Sequence, residues 1–323
     1  MNFIFKSNKL LAKIHNKSLI LSFENQRRSI MKNKSVLLLI LLVIFSIFSC
    51  SKEDNNDVTL DEPSLIVKFK FDPDQERLNN LGQSSVIPVT NAGQTPNFNS
   101  ISAHYFELAP SANTQLGKGA VLYHAPETTI GGAVAIDFSQ SKIVTQDEIF
   151  LKIPLKNLSV GSYQYVRVSL SYQNFSISIR NLNEDYPATL ASFVGFNTYI
   201  GNQTIGNNFF PINANKLQGF WLFALNNGAY SSYGQAPANA TTVPNPIASS
   251  SPIPAGSCVV TGKFANNLLI TSSETQDVNI TLSLSINKSF EWKEVTFDGK
   301  FEPAINEQVV DMGLRGLIPS YTK

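Results

Sequence analysis

The sequence predicts an all-β protein, an antiparallel β-sandwich of jelly-roll or Greek-key type that follows an N-terminal leader and a polar tether. Three observations carry this. Apolar residues alternate with polar ones in several short runs, most regularly at Val278, Ile280, Leu282, Leu284 and Ile286, the period-two signature of a half-buried strand. Clusters of Gly, Pro and Asn punctuate those runs. Only 15% of the residues are charged while amides and hydroxyls are plentiful, a composition suited to a β domain with polar loops.

The other strands follow from the same reasoning. In LIVKFKF, Leu65, Val67, Phe69 and Phe71 share one side while Lys68 and Lys70 share the other. Val166, Val168, Leu170 and Tyr172 repeat the pattern, as do Phe175, Ile177 and Ile179. Turns are expected at Asn91-Ala-Gly93, Leu158-Ser-Val-Gly161 and Asn226-Asn-Gly228. Residues 74–81 (DQERLNNL) read as a helix of about two turns. Residues 230–256 are rich in Ser, Pro, Ala and Asn and read as a long surface excursion from one domain spanning 64–323, because too few strands follow to build a second.

The N-terminal segment has a different character. Residues 36–48 read VLLLILLVIFSIF behind Met31, Lys32, Asn33 and Lys34, a basic region and an apolar run within the roughly 7–15 residues of a signal peptide. A membrane-spanning helix needs about 20. Residues 1–49 hold eight Lys/Arg and one acid, so 17 basic and 23 acidic residues remain downstream, a net charge of −6. That balance argues against a nucleic-acid partner, which calls for clustered Lys and Arg. Residues 1–30 fit no part of a signal peptide, and translation is expected to begin at Met31.

Ile47, Phe48, Ser49 and Cys50 resemble the bacterial lipobox, and the acidic, lysine-containing stretch from Ser51 to Asp57 resembles the tether of surface lipoproteins of the Bacteroidetes group. The resemblance implies a palmitoylated lipoprotein of the outer membrane, facing outward at the cell surface, with residues 1–49 as leader and 50–63 as tether. Acylated Cys50 would be its membrane anchor, since two or three chains hold stably where one does not. Cys258, the other cysteine, is then without a disulfide partner and reads as a buried strand residue.

Catalytic signatures are absent: no G-x-S-x-G, H-E-x-x-H, G-x-x-x-x-G-K-[ST] or C-x-x-C occurs. The expectation is therefore a non-enzymatic binding domain. Downstream of the leader the histidines are His104 and His124, both in strand-like segments, and two imidazoles meeting across neighbouring strands suit copper or zinc. Residues 294–307 (EVTFDGKFEPAINE) offer Glu294, Thr296, Asp298, Gly299 and Glu302 at calcium-loop positions 1, 3, 5, 6 and 9, but position 12 is Ile305. A hairpin turning at Asp298-Gly299 is the stronger reading there. Tyr165, Tyr172, Tyr230 and Tyr233 are candidates for a sugar-stacking surface, with a glycan as the ligand.

The order LIVKFKF, AHYFEL, VGSYQYVRVSLSY, LQGFWLFAL and NITLSLSINKSF is similar to that of the MbnP-like copper-binding β-sandwich family over most of residues 64–290. The resemblance implies the sandwich fold and a copper site of histidines with a tryptophan-derived residue nearby. The corresponding positions are His104, His124 and Trp221.

Overall fold

The computed structural model describes residues 62–79, 81–225, 228–236, 250–251 and 253–323. The leader, Cys50, the tether up to residue 61, Asn226, Asn227 and most of the excursion (237–249) lie outside the described residues. In chain order the strands are β1 (Ser64–Asp72), β2 (Asn91–Gln94), β3 (Asn97–Ala109), β4 (Ala120–His124), β5 (Glu127–Thr128) and β6 (Ala135–Asp137). There follow β7 (Ile149–Pro154), β8 (Gly161–Asn181), β9 (Glu184–Phe193), β10 (Asn197–Ile205), β11 (Asn208–Leu217) and β12 (Phe220–Leu225). The last are β13 (Tyr230–Gln235), β14 (Cys258–Ile270), β15 (Val278–Ser285), β16 (Phe290–Lys293), β17 (Gln308–Met312) and β18 (Leu317–Thr322).

The alternation in the sequence becomes the core. Leu65, Val67, Phe69 and Phe71 of β1 are buried while Lys70 is exposed, and β15 buries Val278, Ile280, Leu282 and Leu284. These two strands sit side by side in a four-stranded sheet of order β18-β15-β1-β7. Their inward side chains meet those of a seven-stranded sheet, β13-β12-β9-β8-β3-β4 with β14 also on β8, in one continuous core. The all-β sandwich is thus the architecture. Most pairings are antiparallel, but β1 runs parallel to β15 and β6 parallel to β10.

A third sheet, β11-β10-β6-β5, lies on the other face of the seven-stranded one. Phe193, Phe220 and Leu222 on that face pack with Ile200, Ile205 and Phe210 in a second apolar cluster. The large sheet is therefore covered on both sides. It needs a way to send apolar side chains to either face, and bulges provide it.

Strand β8 shows how. Residues 161–170 pair with β14 and residues 172–181 with β9, and the partner changes at Ser171. In the pairing with β3, Ser102 faces Tyr172 and Ala103 faces Leu170, so Ser171 is an extra residue. A one-residue insertion moves later side chains to the opposite face. Val166, Val168 and Leu170 accordingly join the main core, Tyr172 joins the second cluster against Phe138 and Phe193, and Phe175, Ile177 and Ile179 return to the main core. The expected grouping of Tyr172 with Val166, Val168 and Leu170 is corrected by that bulge.

Two local expectations fail for identifiable reasons. The described residues of 74–81 form no helix: Leu78 N–H donates to the Arg315 carbonyl at 2.9 Å and Leu78 bridges to Ser84, and Arg77 is drawn inward to Glu291 at 2.6 Å. Asn91, Ala92 and Gly93 are strand rather than turn, paired with β16. Cys258 is a buried free thiol at the start of β14, and burial pushes it up to about 12.

Candidate metal centre

The histidine on β3 owes its position to a second bulge. Ala103 faces Leu170 and Tyr105 faces Ser169, which leaves His104 as the extra residue between them. Before it, Ile101 and Ala103 point into the main core; after it, Phe106 and Leu108 do. His104 and Tyr105 are thereby both freed to face away from that core. Bulges re-aim side chains in this way next to functional sites.

The partner residues come from the chain segment that crosses from the large sheet to the third one. His124 ends β4 opposite Tyr105, and Glu127 begins β5. Between them, Ala125 N–H donates to the carbonyl of His104 at 2.7 Å, and the Pro126 carbonyl accepts from Asp137 N–H at 2.9 Å. The crossing is thus tied to the bulge on one side and to β6 on the other. It folds Glu127 back over His104.

The result is a cluster of three donors, His104, His124 and Glu127, whose candidate ligand atoms all lie within 4.8 Å of one another. Glu127 Oε1 is 3.0 Å from His104 Nε2 and 3.6 Å from His124 Nε2. Zinc–nitrogen bonds of about 2.0–2.1 Å in a tetrahedron separate neighbouring ligand atoms by about 3.3 Å, so these spacings bracket what one ion requires. The two imidazole rings are 4.6 Å apart at their centres.

The site is dry on one side and wet on the other. His104 has no exposed surface, and Phe196 lies 5.3 Å from its ring. Gly195, beside Phe196, approaches β6 so closely that a Cβ there would lie 2.4 Å from the end of Ile136, which is why that corner carries no side chain. His124 and Glu127 keep side-chain exposures of 40% and 28%. A bound ion would have three protein donors and an open face toward solvent, the arrangement of exchangeable rather than closed sites.

Burial holds the His104 imidazole down to about 3, with the neighbouring His124 adding to the shift. His104 is therefore neutral across the physiological range, as a ligand must be. Its Nε2 faces Glu127 and its Nδ1 is buried with no hydrogen-bond partner among the described residues. An ion on Nε2 would shift the proton to Nδ1, where a buried, unpaired N–H costs about 1–3 kcal/mol. The arrangement suits binding that is reversible.

A buried ionic network braces the cluster. Glu107, with no exposed surface, accepts from Tyr105 Oη at 2.8 Å, from Gly117 N–H at 2.7 Å and from Arg167 Nη1 at 3.0 Å. Arg167 also donates to the Thr114 carbonyl at 2.7 Å. These bonds pin the loop that leads into β4 and hence to His124, against whose ring Tyr105 packs edge-on.

The other candidates fall elsewhere. Trp221 lies on β12 in the wall of a separate cavity that includes neither histidine. Residues 294–307 form a long connection between β16 and β17 rather than a two-residue hairpin at Asp298-Gly299. Glu307 organises it, accepting from the N–H groups of Val295, Thr296 and Glu302. Glu294 accepts from Gly299 N–H and Asp298 from Lys300 N–H, with Arg180 also on Asp298. The acids proposed for calcium, Glu294, Asp298 and Glu302, do not converge as a donor group among the described residues. Of the tyrosines, Tyr172 is buried, Tyr165 is half-buried on β8, and Tyr230 and Tyr233 are exposed on β13.

Sequence reasoning missed Glu127. The signal was present as His124-Ala-Pro-Glu127, but at strand geometry an i,i+3 pair points to opposite faces. Only a break in the strand at Ala125-Pro126 brings the two together. No protein-family model matches this chain, and no curated protein or solved structure is significantly similar to it.

Proposed function

We propose that this chain is a lipid-anchored β-sandwich that binds a divalent transition metal, zinc or copper, through His104, His124 and Glu127. The observation that carries the reading is the convergence of two imidazoles and a carboxylate, one imidazole buried and kept neutral, at a bulge that turns it out of the core. Two nitrogens and an oxygen suit both ions. His104 fixes the inner side of the ion, His124 and Glu127 close over it from the crossing, and the remaining face exchanges with water. The role is binding, and the lipobox-like Cys50 is its anchor in the outer membrane, facing outward.

The test is the melting temperature of the full-length protein in detergent, stripped with chelator and then titrated with zinc or copper chloride. At an ion concentration a hundredfold above Kd the native state gains about 2.7 kcal/mol. That corresponds to a rise of about 5–10 °C for a domain of this size. The rise is expected to vanish in His124→Ala, whose half-exposed side chain can be removed without opening the core, and in His104→Ala. A wild-type protein that neither ion stabilises would remove the proposal.

A further inference from the structure

We infer that a second, independent site on this chain binds an uncharged, flat, largely apolar small molecule, in the cavity between the β12–β13 hairpin and the β16–β17 pair. The cavity measures about 590 Å³, well inside the roughly 300–1,000 Å³ of small-molecule pockets. Voids left by ordinary packing are scarcely larger than a water molecule. This one is a cleft open to solvent on one side and far larger than such a void.

Its walls specify the chemistry. One side is aromatic: Trp221 and Phe223 of β12 and Tyr230 of β13. The indole lies over Gly234, its partner across the strand pair, where a Cβ would come within 2.4 Å of the ring. The missing side chain at Gly234 thus sets the orientation of that wall. Beside them on the same sheet face is Leu190, and across from them stand Phe301 and Met312. Stacked between rings and aliphatic groups, a planar molecule makes contact on both faces.

Charge narrows the choice. No Lys, Arg or His side chain lines the cavity among the described residues, and the charged group in its wall is the Asp311 carboxylate, with Oδ2 held by Arg315 at 2.5 Å. An anion there would give up its hydration and find no unpaired cation, since Arg315 is already held by Asp311, at a cost that rises as water is excluded. Fatty acids and phosphorylated headgroups are disfavoured on that ground. Ser232 and Gln308 supply neutral hydrogen-bonding groups, so the fitting ligand is a hydroxylated aromatic or polycyclic compound.

The site shares no residue with the metal cluster, so either can fail without the other. The test uses 2-naphthol and its anionic isostere 2-naphthoate as probes, each titrated into the full-length protein in detergent micelles and read by tryptophan fluorescence and calorimetry. Ser232→Trp and Val310→Trp, which fill the cavity from opposite walls, serve as blocked forms once each is shown to melt as the wild type does. The expected result is saturable one-to-one binding of 2-naphthol, at least tenfold weaker binding of 2-naphthoate, and loss of both in either blocked form. Should one variant misfold, the other decides. Absence of saturable binding, equal affinity for the two probes, or binding that survives the fills would overturn the inference.

Discussion

Replacing Arg167 with Met is expected to destabilise the protein by about 3–5 kcal/mol, the range found when one partner of a buried ion pair is removed. Glu107 has no exposed surface and would be left with only Tyr105 and Gly117 to bond it. Thr114 would lose the donor to its carbonyl as well. The loop those bonds pin carries the chain into β4, so the variant is also expected to bind metal more weakly. Urea denaturation measures the first effect and a metal titration the second. Adding Glu107→Gln to Arg167→Met should recover much of the stability, because the cost lies in the uncompensated charge rather than in the lost contact. If the double variant is no more stable than the single one, Glu107 is not the source of the penalty.

Acid should unfold the metal-free protein steeply, and His104 is the reason. Its folded value is depressed to about 3 by burial, whereas in the unfolded chain it titrates near 6.5. Between those values the unfolded state binds a proton that the native state does not. The stability this contributes is present above about pH 6.5 and is lost as pH falls toward 3, by about 1.4 kcal/mol per pH unit. From pH 6.5 to 4.5 the loss is about 2 kcal/mol. His104→Phe retains a buried ring beside Phe196 and removes the proton site, so its stability should fall less over the same interval. Unfolding free energies measured by urea across that range, in the presence of chelator, test this through the difference between the two proteins. Parallel slopes would contradict it.

The strands were legible because alternation directly reports a half-buried β surface, and the residues it assigns to the core of β1 and β15 are the buried ones. The bulges were not. A period-two rule breaks at an inserted residue, and only pairing with a neighbouring strand shows that Ser171 and His104 are the insertions. Tyr172 was therefore assigned to the wrong face, and the reason His104 leaves the core was invisible. The apparent helix at 74–81 failed because the Leu78 N–H is taken by the Arg315 carbonyl rather than by an intrahelical one, and Glu291 captures Arg77.

The site was half legible for a related reason. Scarcity alone singled out His104 and His124, since rare imidazoles in strands invite the question of whether they meet. Glu127 carried no such flag among many acids, and its role depends on how the chain folds across from β4 to β5. The calcium reading of residues 294–307 rested on spacing alone. The acids are present at suggestive spacing, and in the fold Glu294 and Asp298 accept backbone amides while Arg180 also meets Asp298.

The central claim is that two imidazoles of this chain share one ion. Pulsed electron paramagnetic resonance of the copper(II)-loaded, membrane-extracted protein counts the imidazole nitrogens on that ion directly. The expected result is one copper per chain with modulation from two imidazoles, falling to one in His124→Ala. Copper that shows no imidazole modulation, or a signal that His124→Ala leaves unchanged, would contradict it.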